Sequence, residues 1–216
     1  MSHLEHFHAD LANLAEAETR LQLQLAGLTD AQARGASALP SWSRGHLLTH
    51  LARNADSHVR RCQAAAEGRS TTQYEGGTEG RAAQIEAGAA RSAAALLADV
   101  ASSSAAMLEA FWAVTPEALG VVSTDSSGTE RELATLPRRR WQEVEVHLVD
   151  LDLGVEFEDW PERFVDTFLP IEREALPSRL VDTALVVEPS LPPRLELAWY
   201  YGRLDVEGLP ELTPWR

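Results

Sequence analysis

The sequence predicts a mainly α protein, a four-helix bundle followed by a small C-terminal appendage, and three observations carry that expectation. Long segments place apolar residues at helical spacing, as Leu4, Phe7, Leu11, Leu14, Leu21 and Leu25 do near the N-terminus. Helix breakers at Gly27, Gly68, Pro116 and Gly154 divide these segments. Two of the segments also carry polar residues one helical turn apart, the kind of inward-facing pair from which bundles build metal sites.

Taken in order, the first helix runs from His3 to Gly27. His3, His6 and His8 sit at the exposed chain end and read as solvated surface. Leu28 to Pro40 is a connector. The second helix spans Trp42 to about Glu67, and Ser43 is placed to cap its N-terminus. Gly68 to Gly80 (GRSTTQYEGGTEG) holds the densest set of breakers and predicts an exposed loop. A third helix is expected from Arg81 to about Val114, bent at Gly88 or within Ser102 to Ser104 and closed by Pro116. Thr115 to Thr135 predicts a short hairpin or loop. Leu136-Pro137 leads into the fourth helix, Arg138 to Leu153, which Gly154 stops.

Beyond that glycine the composition changes, so the expected division is a bundle over residues 1–155 and a small domain over residues 156–216. In the latter, Trp160-Pro161 opens a helical piece to about Leu176, Leu185 to Val187 is strand-like, and Leu195 to Leu204 is helical. A segment this short gains stability by docking on the bundle.

Composition narrows the function. With 33 acidic against 19 basic residues the formal net charge is -14, which argues against nucleic acid and anionic membranes as partners. No apolar run approaches the ~18 residues that would span a bilayer, and the N-terminus lacks the apolar block of a secretory signal. The single Cys62 cannot form an internal disulfide, which fits the cytoplasm, and its alanine-rich surroundings make it a packing residue. Every basic residue is arginine, the coding signature of a GC-rich genome. An anionic substrate would need a local arginine pocket.

The chemistry concentrates in two stretches, SWSRGHLLTHLARNAD (Ser41 to Asp56) and WQEVEVHLVDLDLG (Trp141 to Gly154). On a helix, Glu143 and His147 stand on one face at i, i+4, whereas Glu145 points away. His46 and His50 repeat the spacing upstream, and either would supply a third ligand. Such pairs also occur as ordinary surface contacts worth a few tenths of a kcal/mol. Here Leu47, Leu48 and Leu51 flank one pair and Val144, Val146, Leu148 and Leu151 the other, predicting burial. Buried polar groups need partners, and a shared metal would satisfy all of them.

Those two stretches, with the helix start RRRWQEVEVH and a C-terminal YYGR followed by GLPELTPW, resemble the mycothiol-dependent maleylpyruvate isomerase family. The resemblance implies a DinB-like bundle carrying a small C-terminal α/β domain, although the stretch between Pro189 and Leu195 is short for that family. It implies zinc held by His50, Glu143 and His147, and a catalytic Arg203 in the GR dipeptide. The implied reaction converts maleylpyruvate to fumarylpyruvate by reversible addition of the thiolate of mycothiol, the thiol cosubstrate. Two imidazoles and a carboxylate leave zinc an open position, as catalytic sites do. The expected partners are that thiol and a small anionic substrate, with the protein a monomer. A mycothiol S-transferase acting on other electrophiles and a non-enzymatic DinB-like metal-binding module are the competing readings.

Overall fold

The computed structural model describes residues 2–182, 187 and 189–215. They form two compact units, Met1–Leu153 and Gly154–Arg216. The fold is mainly α, as its sequence predicts.

In the first unit α1 (His3–Leu25), α3 (Arg44–Ala66), α5 (Ala93–Trp112) and α6 (Leu136–Asp150) form the four-helix bundle. Helix α3 packs on α5, α1 packs on α6, and weaker seams join α1 to α5 and α3 to α6, so the four close into a ring. The predicted apolar stripe of α1 faces inward: Phe7, Leu11, Leu14 and Leu21 have no exposed area, Leu25 is buried, and Leu4 at the helix start is half-buried. Ser2 and Ser43 cap α1 and α3 in capping boxes that satisfy otherwise orphaned amides. Helix α6 begins two residues earlier than expected because Pro137 sits in its first turn, where a missing N–H costs nothing.

Three expectations need correction. The connector contains a short helix, α2 (Asp30–Arg34), which Thr29 and Gln32 nucleate through their own capping box. The expected third helix is two helices: α4 (Gly77–Ala89) starts inside the predicted loop, and α5 starts anew at Ala93. The chain breaks at Ala90–Ser92, where Ser92 caps α5, and neither Gly88 nor the serines bend it. Gly88 has a different task. A Cβ there would meet the Thr49 side chain at 2.4 Å, and one at Gly45 would meet the Ala89 carbonyl oxygen at 2.1 Å, so Gly45 lets the backbones of α3 and α4 touch while Gly88 makes room for Thr49. By length and composition α5 is also apolar enough to cross a membrane, contrary to the sequence expectation. Much of its hydropathy is alanine, and Leu96, Val100, Met107 and Phe111 are packed inside the unit.

Thr115 to Thr135 does contain a hairpin, β1 (Val122–Thr124) paired antiparallel with β2 (Glu130–Glu132), Val122 facing Glu132. Asp125 and Gly128 form its turn, with the Asp125 carboxylate accepting from the amides of Ser127 and Thr129.

Among its described residues the second unit holds α7 (Glu162–Arg179) and α8 (Pro193–Tyr200), a short 3-10 turn, and an isolated antiparallel bridge, Leu180 to Leu212. Trp160, Phe164, Phe168, Tyr201 and Trp215 form its aromatic core. Arg173 grips Glu196 with two hydrogen bonds, at 2.8 and 2.6 Å, tying α7 to α8. The strand-like reading of Leu185 to Val187 falls chiefly on residues 185 and 186, outside the described residues.

At the centre of the bundle lies a buried ion pair. Arg140 of α6, with no exposed area, donates from Nε to Glu18 of α1 at 2.8 Å. Its Nη1 donates to the Leu51 carbonyl at 2.8 Å and to Asn54 Oδ1 at 3.0 Å, both on α3, while Ser104 of α5 donates to the other Glu18 oxygen at 2.8 Å. Removing one partner of such a pair leaves a buried, uncompensated charge. Glu18→Ala is therefore expected to cost about 3–5 kcal/mol in urea denaturation. Arg34→Ala, which breaks the exposed pair with Asp30 at 3.6 Å, should cost under about 1 kcal/mol in the same assay.

Candidate metal centre

Two helices that meet side by side build the site. On α3, residues 47, 48, 51 and 55 are drawn into the core, which turns His50 inward to 3% exposure. On α6, Val144 and Leu148 do the same for Glu143 and His147. Arg44 locks the two helices at this end, donating from Nε to the Leu151 carbonyl and from Nη2 to the Asp152 carbonyl, both at 2.6 Å, just past the end of α6.

The three side chains converge. His50 Nε2 and His147 Nε2 each lie 3.2 Å from Glu143 Oε2, and all three ligand atoms fall within 4.8 Å of one another. The imidazoles stand nearly perpendicular, 5.0 Å apart at 88°. A tetrahedral zinc ion with ~2.0–2.1 Å bonds separates neighbouring ligand atoms by roughly 3.3 Å, close to the two distances found.

Each imidazole has a different second partner, and that difference sets its charge. His147 Nδ1 is 2.8 Å from the carboxylate of Asp150, which has no exposed area. Burial opposes a charge on His147, but hydrogen bonds to Asp150 and Glu143 outweigh it and hold the pKa above the ordinary histidine value. His50 Nδ1 instead accepts from Arg81 Nη2 at 3.1 Å, so its proton belongs on Nε2, facing Glu143. Burial is the main cause that pushes His50 down to about 4, the Glu143 hydrogen bond countering it in part. Burial likewise disfavours the Glu143 carboxylate, yet the hydrogen bonds from His147 and His50 keep it ionised, well below the usual range.

This donor set fits a divalent ion. Asp150 holds the His147 proton on Nδ1 and leaves Nε2 to ligate, the carboxylate–histidine support that metal-binding imidazoles use. His50 would ligate through Nε2 by moving its proton to Nδ1, and Arg81 would then have to release it. His46 does not join the group. Its Nδ1 accepts from the Ser43 amide at 3.1 Å within the α3 capping box, and its Nε2 lies 3.2 Å from Glu86. Glu145 points to the opposite side, as the helical spacing requires, and pairs with Arg20 at 2.6 Å.

The remaining sequence candidates lie elsewhere. Arg203 belongs to the second unit, where it follows Gly202 (φ +67°) at the end of α8 and stacks its guanidinium 5.4 Å from the Trp215 ring centroid. Cys62 is buried and its thiol is pushed up to about 12, chiefly by burial, so it stays protonated and inert. His3 and His6 are exposed beside a surface cavity of about 330 Å³. Asp150 and Arg81 are the residues that sequence reasoning missed. Asp150 had a signal, an acid one turn after His147; Arg81 had none, because its contact depends on α4 folding back over α3.

The opposed imidazoles predict the pH dependence of the metal-free protein. Below an unfolded value near 6.5 the unfolded chain protonates His50 while the folded one does not until about 4, so this contribution to stability is lost as pH falls across that window. His147 has the opposite sign: its contribution is full below about 6.5 and is lost as pH rises through its raised pKa. Denaturation at a series of pH values should show both limbs, and His147→Gln should remove the alkaline one only.

Comparison with known proteins identifies the fold and the family. A solved mycothiol-dependent maleylpyruvate isomerase matches with a TM-score of 0.83 at 21% identity, over 97% of each chain. A histidine-to-alanine variant of that enzyme matches at 0.82, with the same identity and coverage. No curated protein matches by sequence. The family model for the mycothiol maleylpyruvate isomerase N-terminal domain matches residues 14–152, from the middle of α1 to just past α6, and the chain belongs to that family.

Proposed function

We propose that this chain is a zinc- and mycothiol-dependent isomerase that converts maleylpyruvate to fumarylpyruvate. The observation that carries the reading is the convergence of His50 Nε2 and His147 Nε2 on one Glu143 oxygen, in a chain of this family. His50, Glu143 and His147 supply three neutral or singly charged donors, which leaves a fourth position for an exogenous ligand. An ion held by these three residues would keep a thiol in that position as the thiolate, whose reversible addition to the cis double bond permits rotation to the trans isomer. Asp150 fixes the ring of His147 and raises its basicity. His50 and His147 are buried while Glu143 is partly exposed, so the group is reached from the Glu143 side. Arg203 is proposed as a catalytic cation for the charge that develops on the substrate.

Elemental analysis of untagged protein is expected to return one zinc per chain. His50→Ala should abolish that content, whereas His46→Ala should retain it and lose only the capping contact. A wild type without zinc that added metal cannot load, or the reverse pattern in the two variants, would overturn the ligand set. With mycothiol and maleylpyruvate, fumarylpyruvate should accumulate; an accumulating S-conjugate would mark a transferase, and no turnover a binding module.

Arg203→Ala is expected to keep its zinc and lose ~10²-fold or more in turnover, the scale of one lost transition-state charge contact. Arg203→Lys should recover only part, since a point charge cannot reproduce the planar fork. Full turnover by the alanine variant would refute the role.

A further inference from the structure

Arginine is scarce relative to acid in this chain, and most arginines of the first unit are matched: Arg20 to Glu145, Arg44 to Asp152, Arg53 and Arg91 to Asp99, Arg138 to Asp10, Arg140 to Glu18. Arg81 and Arg139 are exceptions at the metal centre. Neither forms an ion pair with a carboxylate among the described residues, and Arg139 makes no hydrogen bond there either.

Arg81 touches the centre, and Arg139 stands within electrostatic reach of Glu143, with Arg131 and Asp125 of the hairpin as its other charged neighbours. Arg81, at the start of α4, lies over the rings of Trp42 and Tyr74, its guanidinium carbon 5.9 and 5.8 Å from their centroids. Those faces hold the cation and fix its plane without neutralising it, as a carboxylate would. Its one contact with the centre is Nη2 to His50 Nδ1 at 3.1 Å, an acceptor that vanishes once His50 carries its proton on Nδ1. Arg139 lies one turn before Glu143 on α6, on the same face by the i, i+4 rule, and is only partly exposed. Partial burial of an unpaired guanidinium costs free energy that a bound anion would offset.

We propose that Arg81 and Arg139 form a two-arginine clamp for the carboxylates of a small dicarboxylate bound at the His50–Glu143–His147 centre. The proposal deepens the isomerase reading and rests on it. The clamp assigns ground-state recognition to the first unit, so that specificity for an anion is built into the same pair of helices as the metal donors. Arg81 has two alternative partners, His50 in the metal-free protein and the ligand in the loaded one.

Calorimetric titration of maleate, a cis-dicarboxylate, into the protein with and without zinc tests it. The zinc-loaded wild type should bind maleate, and Arg81→Gln and Arg139→Gln should each weaken binding by about ten-fold or more, the scale of a lost charge-assisted contact. Zinc affinity separates the two arginines from structural residues: Arg81→Gln should load zinc as tightly as the wild type or tighter, because the contact that opposes the metal-bound form of His50 is gone. Arg81→Lys and Arg139→Lys, which keep the charge, should recover part of the maleate affinity. Wild-type affinity for maleate in both Gln variants, or a zinc-loaded wild type that binds no maleate, overturns the clamp while leaving the metal reading intact. A wild type that takes no zinc yet binds maleate through both arginines overturns the metal reading and supports the clamp.

Discussion

Arg140 is the residue on which the bundle depends. Its guanidinium reaches α1 through Glu18 and α3 through Leu51 and Asn54, and Glu18 passes the contact on to Ser104 of α5. One buried cation thereby joins all four long helices, and its geometry tolerates only one register of α6 against α3. That register matters because Arg140 stands one turn from Glu143, and Leu51 and Asn54 follow His50 within one turn. A slip of α6 that broke the Arg140 contacts would also part Glu143 from His50. The ion pair therefore specifies the metal centre as much as it stabilises the core, and replacing it by apolar residues would keep the burial and lose the registration.

Three of the long amphipathic segments, the Ser43 cap and the stop near Gly154 were legible because each rests on local signals: spacing, a capping side chain, a breaker. The pair Glu143 and His147 was legible for the same reason. What escaped was tertiary. Nothing local distinguishes Gly88 as a helix-packing contact from Gly88 as a bend, since only the approach of Thr49 explains it. The break between α4 and α5 hides in an alanine-rich stretch whose helical propensity runs straight through it, and Ser92 alone marks the restart. The choice between His46 and His50 was likewise beyond spacing. It turns on which way α6 lies, and the structure commits His46 to the cap of its own helix.

The position of α4 is the other dependence. Because Gly45 allows backbone contact, the first turn of α3 lies directly beneath the end of α4. Glu86 reaches His46, and Arg81 reaches His50, one turn apart along α3. The breaker-rich stretch that looked like a plain loop is thus the approach to a helix that covers one side of the histidines.

Charge counting at the centre has a consequence for which ions it can hold. Glu143 and Asp150 bring two carboxylates to the same buried place, and His147 offsets one of them only while it keeps both protons. When that imidazole gives up a proton to become a ligand, a residual charge of two negatives remains, which a dication cancels and a monovalent or trivalent ion does not. A dication thus matches the charge that these carboxylates bring to the candidate site. Once neutralised in this way it has no further positive charge of its own to attract an anion, so a thiolate and a dicarboxylate together would leave it strongly negative unless neighbouring guanidinium groups made up the difference.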